Sequence, residues 1–246
     1  MNRLMIIPAA GRGSRLQSST PKVLYPVAGR PMIDYLLELY APFVDRFVLV
    51  LHPSFAEAVE RHCAGSGLHI DYDVQSEPTG MLDAILIPKE RVQRYQPQQI
   101  WITWCDQIAV DPKTVRALAE TSEREQDAAM VMPSIVKSEP YIHIVRNEAG
   151  KIVDLLHRRE GDHLPDPGES DMGLFSVSRS AYLELLPRFA DEAVTGQATR
   201  ERNFLPFIPW VAGKTRVVTF PALNVIESVG INDATDLRHI EEHLRS

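Results

Sequence analysis

Three cations stand within eleven residues near the start of the chain, Arg12, Arg15 and Lys22, in and just after a loop with almost no side chains. Ala9, Ala10, Gly11 and Gly13 leave the backbone amides open to close approach by an anion or a flat base, and Ser14 adds a hydroxyl. A bare loop with an arginine and a lysine suits a triphosphate, whose charge must be neutralised both when bound and in the transition state. Two phosphate fingerprints are excluded. The P-loop would need four residues between its glycines and then Gly-Lys-Ser/Thr. The dinucleotide pattern G-x-G-x-x-G fails because position 16 is leucine.

Two further stretches carry side chains suited to this chemistry. Asp106 follows the apolar run Ile100–Trp104; a carboxylate just past a buried parallel strand can hold a hard cation, or cap the next turn. Gln75 opens the turn Gln75-Ser-Glu-Pro-Thr-Gly80. Its amide can both donate to and accept from a pyrimidine edge, or it can remain a solvated loop residue. Among the eight histidines only His239 and His243 stand i, i+4, with no H-E-x-x-H zinc pattern, and no G-x-S-x-G elbow marks a nucleophile.

The elements that must position these groups alternate. Arg3–Ile7 is an apolar strand leading into the bare loop. A helix beginning at Pro31 carries Met32, Ile33, Leu36, Leu37 and Tyr40 on one face. Phe47–Leu51 is a second strand, Ser54-Phe-Ala-Glu57 reads as a capping box opening a helix to Cys63, and Leu68–Val74 is a third strand. Strand, helix, strand, helix, strand implies right-handed βαβ units and a parallel sheet. Ligands bind such sheets outside the carboxyl ends of the strands, so Ala9–Arg15, Gln75–Gly80 and Cys105–Gln107 should converge. Asp111-Pro112 starts a helix to about Glu125, and Ala128–Met132 is another strand. Ile142–Arg146 and Ile152–Arg158 flank Asn147-Glu-Ala-Gly150 as a hairpin. Glu160–Ser170 reads as a loop over the site, with a strand resuming at Asp171–Phe175. Helical patterns follow at Ala181–Leu186 and Phe204–Val211, strand-like ones at Arg216–Phe220 and Val225–Val229. A terminal helix carries Leu237, Ile240 and Leu244, and Asn232 or Asp233 would cap it.

With 246 residues, 44% hydrophobic and 24% charged, the chain reads as one soluble domain over 1–246, its acceptor-binding subregion at about 136–215. A net charge of −7 argues against nucleic acid as partner. Only Cys63 and Cys105 are present, and there is no signal peptide and no apolar run near eighteen residues. The expectation is a reduced, cytoplasmic protein without membrane attachment.

The strings AAGRGSRL and PKVLYPVAGRPMIDYLLE closely resemble the signature of the nucleotidyltransferases that make NDP-sugars, nearest to the uridylyltransferase domain of the bacterial N-acetylglucosamine-1-phosphate enzymes. The resemblance implies a Rossmann-like three-layer α/β/α fold, GT-A-like, with a mostly parallel central sheet and a small hairpin-and-loop acceptor subregion. It implies attack by an acceptor phosphate on the α-phosphorus of an NTP, with pyrophosphate leaving. In that mechanism Arg15 would meet the leaving β,γ-phosphates, and Lys22 the α-phosphate and the attacking phosphate. Residues Ala9 to Ser14 with Gln75 and Gly80 would bind the nucleotide, and Asp106 with Asn232 would hold Mg²⁺. No general base is required, because a phosphate monoester is already ionised near neutrality. UTP is the expected donor and a sugar 1-phosphate the expected acceptor.

The chain departs from the family at Met81, where threonine is usual. It departs again at His143, His157 and Asp171, which stand at acceptor positions the family fills differently, while Glu169 matches. Those departures keep open a cytidylyl- or guanylyltransferase acting on a cyclitol phosphate, an alcohol phosphate or a phosphonate. His143 and His157 could equally be hairpin surface residues. A GT-A glycosyltransferase would need a D-x-D motif, which Cys105-Asp106-Gln107 does not supply.

Overall fold

The computed structural model describes residues 2–11 and 20–245. Its strands, in chain order, are β1 (Arg3–Pro8), β2 (Pro26–Val27), β3 (Arg30–Pro31), β4 (Arg46–Leu51), β5 (Ile70–Val74), β6 (Gln99–Thr103), β7 (Met130–Lys137), β8 (Ile142–Arg146), β9 (Ile152–His157), β10 (Gly168–Asp171), β11 (Leu174–Ser178) and β12 (Val217–Pro221). The helices are α1 (Met32–Tyr40), α2 (Ala56–Cys63), α3 (Met81–Leu86), α4 (Lys89–Tyr95), α5 (Pro112–Arg124), α6 (Leu186–Glu192), α7 (Phe207–Ala212) and α8 (Ala234–Arg245).

The central sheet runs β10-β7-β11-β6-β1-β4-β5, with β12 also on β7. β6, β1, β4 and β5 pair in parallel, as do β12 and β7; β11 is antiparallel to both β6 and β7, and β10 to β7. Burial alternates strictly along the central strands. Met5, Ile7, Phe47, Leu49 and Trp101 enter one core; Leu4, Ile6, Val48, Val50, Ile100 and Ile102 enter the other. Residues of α1, α2, α5 and α8 close the first, and those of α3, α4, α6 and α7 the second. Strands apolar on both faces are what a sheet covered by two helical layers demands. The chain leaves β1 toward β4 and β5, and returns on the other side of β1 as β6. The order therefore reverses between β1 and β6, and a crevice opens at their carboxyl ends.

Four local expectations are corrected. Ser54 does not cap α2: its hydroxyl lies 2.7 Å from His52 Nδ1, and the cap position is Phe55, with no side-chain cap bond. Pro31 is itself the cap of α1, which begins at Met32. Val225–Ser228 is a 3₁₀ turn, not a strand, because Asn224 and Glu227 cap it reciprocally. Glu160–Ser170 is not all loop, since Gly168–Asp171 pairs with β7. Among the described residues no helix is long and apolar enough to cross a membrane.

Candidate active site

Asp106 leaves the carboxyl end of β6, and the terminal turn Gly230-Ile231-Asn232 docks directly onto it. The Ile231 amide donates to the Asp106 carbonyl at 3.1 Å. A Cβ at Gly230 would lie 3.0 Å from Asp106 Oδ1, so a larger residue would crowd the carboxylate. Asn232 is not spent on capping α8. That role falls to Asp233, whose Oδ1 accepts from the Thr235 and Asp236 amides at 2.8 and 3.1 Å. Asp236 Oδ2 in turn holds the Asn232 amide at 2.8 Å, and Asn232 Nδ2 donates to the Gly230 carbonyl at 3.0 Å. Asn232 Oδ1 is thereby aimed into the crevice.

The Lys22 ammonium meets both oxygens, 2.5 Å from Asp106 Oδ2 and 3.1 Å from Asn232 Oδ1. Residues 22, 106 and 232 thus converge on one point, at the topological switch. The two oxygens already share a cation there, and they are hard, uncharged-or-carboxylate donors of the kind Mg²⁺ takes while keeping waters and phosphate oxygens in its shell. The donor set therefore fits that ion. Among the described residues no group of three or more His, Cys, Asp or Glu side chains could hold a metal. Cys105, beside Asp106, is buried; burial pushes its thiol up to about 12, with the Asp106 charge adding to the effect. It is no thiolate.

Of the bare loop, Ala9 is buried with its amide on the Val50 carbonyl at 2.8 Å, Ala10 is half-buried, and Gly11 is exposed. Arg12, Gly13, Ser14 and Arg15 lie outside the described residues. Gln75 follows β5 and is buried; its Nε2 donates to Thr79 Oγ1 at 3.2 Å and to the Gly80 carbonyl at 3.1 Å. Both amide hydrogens are thus occupied by the turn, and the oxygen is the end left to accept from a ligand. Gly80 has φ of 119°, and a Cβ there would stand 2.4 Å from the Arg202 backbone nitrogen. Arg202 locks the turn from outside: its amide donates to the Thr79 carbonyl, its carbonyl accepts from the Leu82 amide, and its guanidinium pairs with Asp83 at 2.5 Å.

A cavity of about 470 Å³ joins this point to the β9 hairpin, and Asp106, Asn232, Met81, His157 and Asp171 all line it. His157 is held below the usual histidine range by burial, against the opposing pull of Glu160 and Asp162. Asp171 is buried; burial raises its carboxyl, although the Gly173 amide donates to Oδ2 at 2.8 Å. His143 and Glu169 do not line the cavity. Glu169 is forked by Arg146, with Nε and one terminal nitrogen each 2.6 Å from an oxygen, and accepts from Ser134 Oγ at 2.7 Å. Burial pushes it up, but the guanidinium and hydroxyl win and hold it low. Glu169, expected at the acceptor, is placed here in an ion pair with Arg146 away from the cavity. His143 packs against Gly168, where a Cβ would be 2.8 Å from Nδ1.

Several lining residues were given no role by sequence reasoning: Trp104, Lys137, Phe204 and, within the stretch expected to converge, Gln107. Lys137 donates to Ser228 Oγ at 3.0 Å, and burial lowers its ammonium pKa while Asp171 opposes that shift. Glu160 gathers the Ala198 amide, Thr199 Oγ1 and Asn203 Nδ2, tying the turn after β9 to the segment at 196–203 as the outer wall. No residue-type pattern announces these; only the hairpin and the two polar loops hinted at the region.

Comparison with known proteins places these features in context. Residues 5–166 match the MobA-like NTP transferase domain. The chain is 24% identical to the bifunctional protein GlmU of Brevibacillus brevis, over 98% of this chain and 51% of that protein. It is 27% identical to that of Stutzerimonas stutzeri, over 97% and 51%. The chain spans about half the length of the curated relatives it matches. An inositol-1-phosphate CTP transferase from T. maritima superposes with a TM-score of 0.76 at 18% identity, covering 99% of this chain and 95% of that one; the fold is shared.

Proposed function

The chain belongs to the MobA-like NTP transferase family, and on that premise we propose that it transfers a nucleotidyl group from an NTP to a sugar 1-phosphate or similar phosphate, with Mg²⁺, releasing pyrophosphate. The observation that carries this reading is the convergence of Lys22, Asp106 and Asn232 on one point at the sheet's switch. An acceptor phosphate oxygen attacks the α-phosphorus, a new P–O bond forms, and the α–β bridge breaks toward pyrophosphate. Asp106 and Asn232 would hold the ion, which when bound neutralises charge on the phosphoryl oxygens. Lys22 exchanges its two protein oxygens for the α-phosphate and the incoming phosphate, and Arg15 takes the leaving group. The acceptor needs no base, being already ionised.

UTP is the first expectation for the donor, from the Gln75 and Gly80 positions. A second reading, CTP with a cyclitol or alcohol phosphate, is equally compatible with one observation. The end of Gln75 left free is its oxygen, which accepts from uracil N3–H or from the cytosine amine alike. The experiment is pyrophosphate release from ATP, CTP, GTP, UTP and dTTP, each with glucose 1-phosphate, N-acetylglucosamine 1-phosphate or myo-inositol 1-phosphate, with and without Mg²⁺. Metal-dependent release with one pyrimidine nucleotide supports the reading. No release with any pair would withdraw it.

A further inference from the structure

Among the described residues, four buried side-chain polar atoms have no hydrogen-bond partner: Trp101 Nε1, Gln107 Oε1, Thr114 Oγ1 and His143 Nδ1. Gln107 alone of these lines the cavity beside Asp106, and it is 5% exposed. A buried amide oxygen left without a donor costs about 1–3 kcal/mol, so a fold keeps one where something else supplies the donor. The surroundings make the placement specific. Gln107 Oε1 lies over Gly173, where a Cβ would come within 1.8 Å of it and 2.2 Å of Trp104 Cδ1; Gly173 is also at φ of 63°. Across the same glycine, its amide holds Asp171 Oδ2. Gln107 and Asp171 both line the cavity, with an amide oxygen and a carboxylate gathered around one glycine behind its wall, next to the edge-to-face pair of Trp104 and Phe204, with ring centroids 6.2 Å apart. Two acceptors beside an aromatic wall suit a ring that bears hydroxyl donors on its rim and C–H bonds on its face.

We propose that Gln107 is a specificity-determining residue for the acceptor: its buried amide oxygen accepts a hydrogen bond from an acceptor hydroxyl, selecting hydroxylated ring phosphates over phosphate esters without hydroxyls. This rests on the nucleotidyltransferase reading above. It assigns to Gln107 a contact with substrate distinct from the metal role of its neighbour Asp106.

The test compares wild type with Gln107→Leu and Gln107→Met, the second guarding against a shape misfit of the first. Acceptor probes are myo-inositol 1-phosphate and glucose 1-phosphate, with phosphocholine as the phosphate ester lacking hydroxyls. Loss of one hydroxyl contact should raise KM for the hydroxylated acceptors about tenfold, with nucleotide KM unchanged. KM for phosphocholine, where it is used, should stay flat. The melting temperature of the unliganded variants should hold or rise, because an orphaned oxygen is replaced by apolar atoms of similar shape; a merely structural glutamine would lower it. Unchanged acceptor KM, an equal rise for phosphocholine, a wild type that uses phosphocholine alone, or a fall in melting temperature each overturns the assignment to Gln107 and leaves the transferase reading standing. A wild type that releases no pyrophosphate with any nucleotide and acceptor sinks the transferase reading itself, and this inference with it.

Discussion

The two halves of the site are built differently. On the proposed phosphate side, Lys22, Asp106 and Asn232 come from positions 22, 106 and 232 and meet within 3.1 Å, Asp106 just past buried β6 and Asn232 in the turn that docks onto it. On the acceptor side, the four expected residues separate. His157 and Asp171 line the cavity, whereas His143 and Glu169 are absorbed into the packing between β8, β10 and β7. The proposed phosphate chemistry needs fixed geometry, and the switch point between β1 and β6 supplies a place for it. Acceptor choice needs only a wall of suitable shape, and hairpins and loops provide that wall with interchangeable residues.

The largest effect tests the phosphate half. Asp106→Asn should cut turnover by about 10²–10³, the loss that follows removal of one preorganised electrostatic partner, with the circular dichroism spectrum unchanged. Turnover near wild type would break the comparison at its stronger end. Lys22→Met should lower turnover on a similar scale. It should also do something the aspartate variant cannot: removing a cation from between Asp106 and Asn232 should tighten Mn²⁺ binding to the nucleotide-free protein. Two like charges at about 4 Å repel by roughly 1 kcal/mol even in water, a factor of about 5 or more in affinity. Paramagnetic resonance of free Mn²⁺ reads this without turnover.

A smaller effect tests the acceptor half. Glu169→Gln leaves the Arg146 guanidinium without its carboxylate; charge-assisted bonds of this kind are worth about 1.5–3 kcal/mol, discounted here because both side chains keep some contact with water. Melting should fall by a few degrees while acceptor KM stays level. A jump in acceptor KM at unchanged melting temperature would return Glu169 to the acceptor subsite.

This division also tracks how far the sequence could be read. The strand before Asp106 and the turn at Asn232 were legible because each needs particular residue types at particular places: a two-sided apolar strand and a short polar turn. Even the competition at Asn232 was visible, and the structure resolves it by giving the cap to Asp233. The Arg146 partnership of Glu169 was not legible, because matching a motif fixes a position in the chain and says nothing of which face of β10 the side chain takes or that Arg146 lies across from it. Val225–Val229 was misread because an apolar run looks like a strand until Asn224 and Glu227 close around it. Gln107 carried no signal by itself, since an orphaned oxygen is a property of three-dimensional surroundings.

The smallest effect is the most discriminating about how the acceptor wall is charged. Burial raises the Asp171 carboxyl above its ordinary 3.8. A group with a raised folded value contributes its stability fully below the unfolded value and loses it as pH rises through the folded one, so the ionised carboxylate is a burden near neutrality. Asp171→Asn keeps an oxygen to accept the Gly173 amide and drops the charge. It should raise the neutral melting temperature, by about 2–4 °C at most for a chain this size, and that advantage should vanish as pH falls below about 4. Lys137 limits the gain, because burial already disfavours its ammonium and Asp171 is the charge that opposes this. Adding Lys137→Met to Asp171→Asn should therefore stabilise beyond the single variant at neutral pH. If instead Asp171→Asn destabilises at every pH, the carboxylate is held by Lys137 as a structural pair, and the acceptor wall is as rigidly specified as the phosphate half.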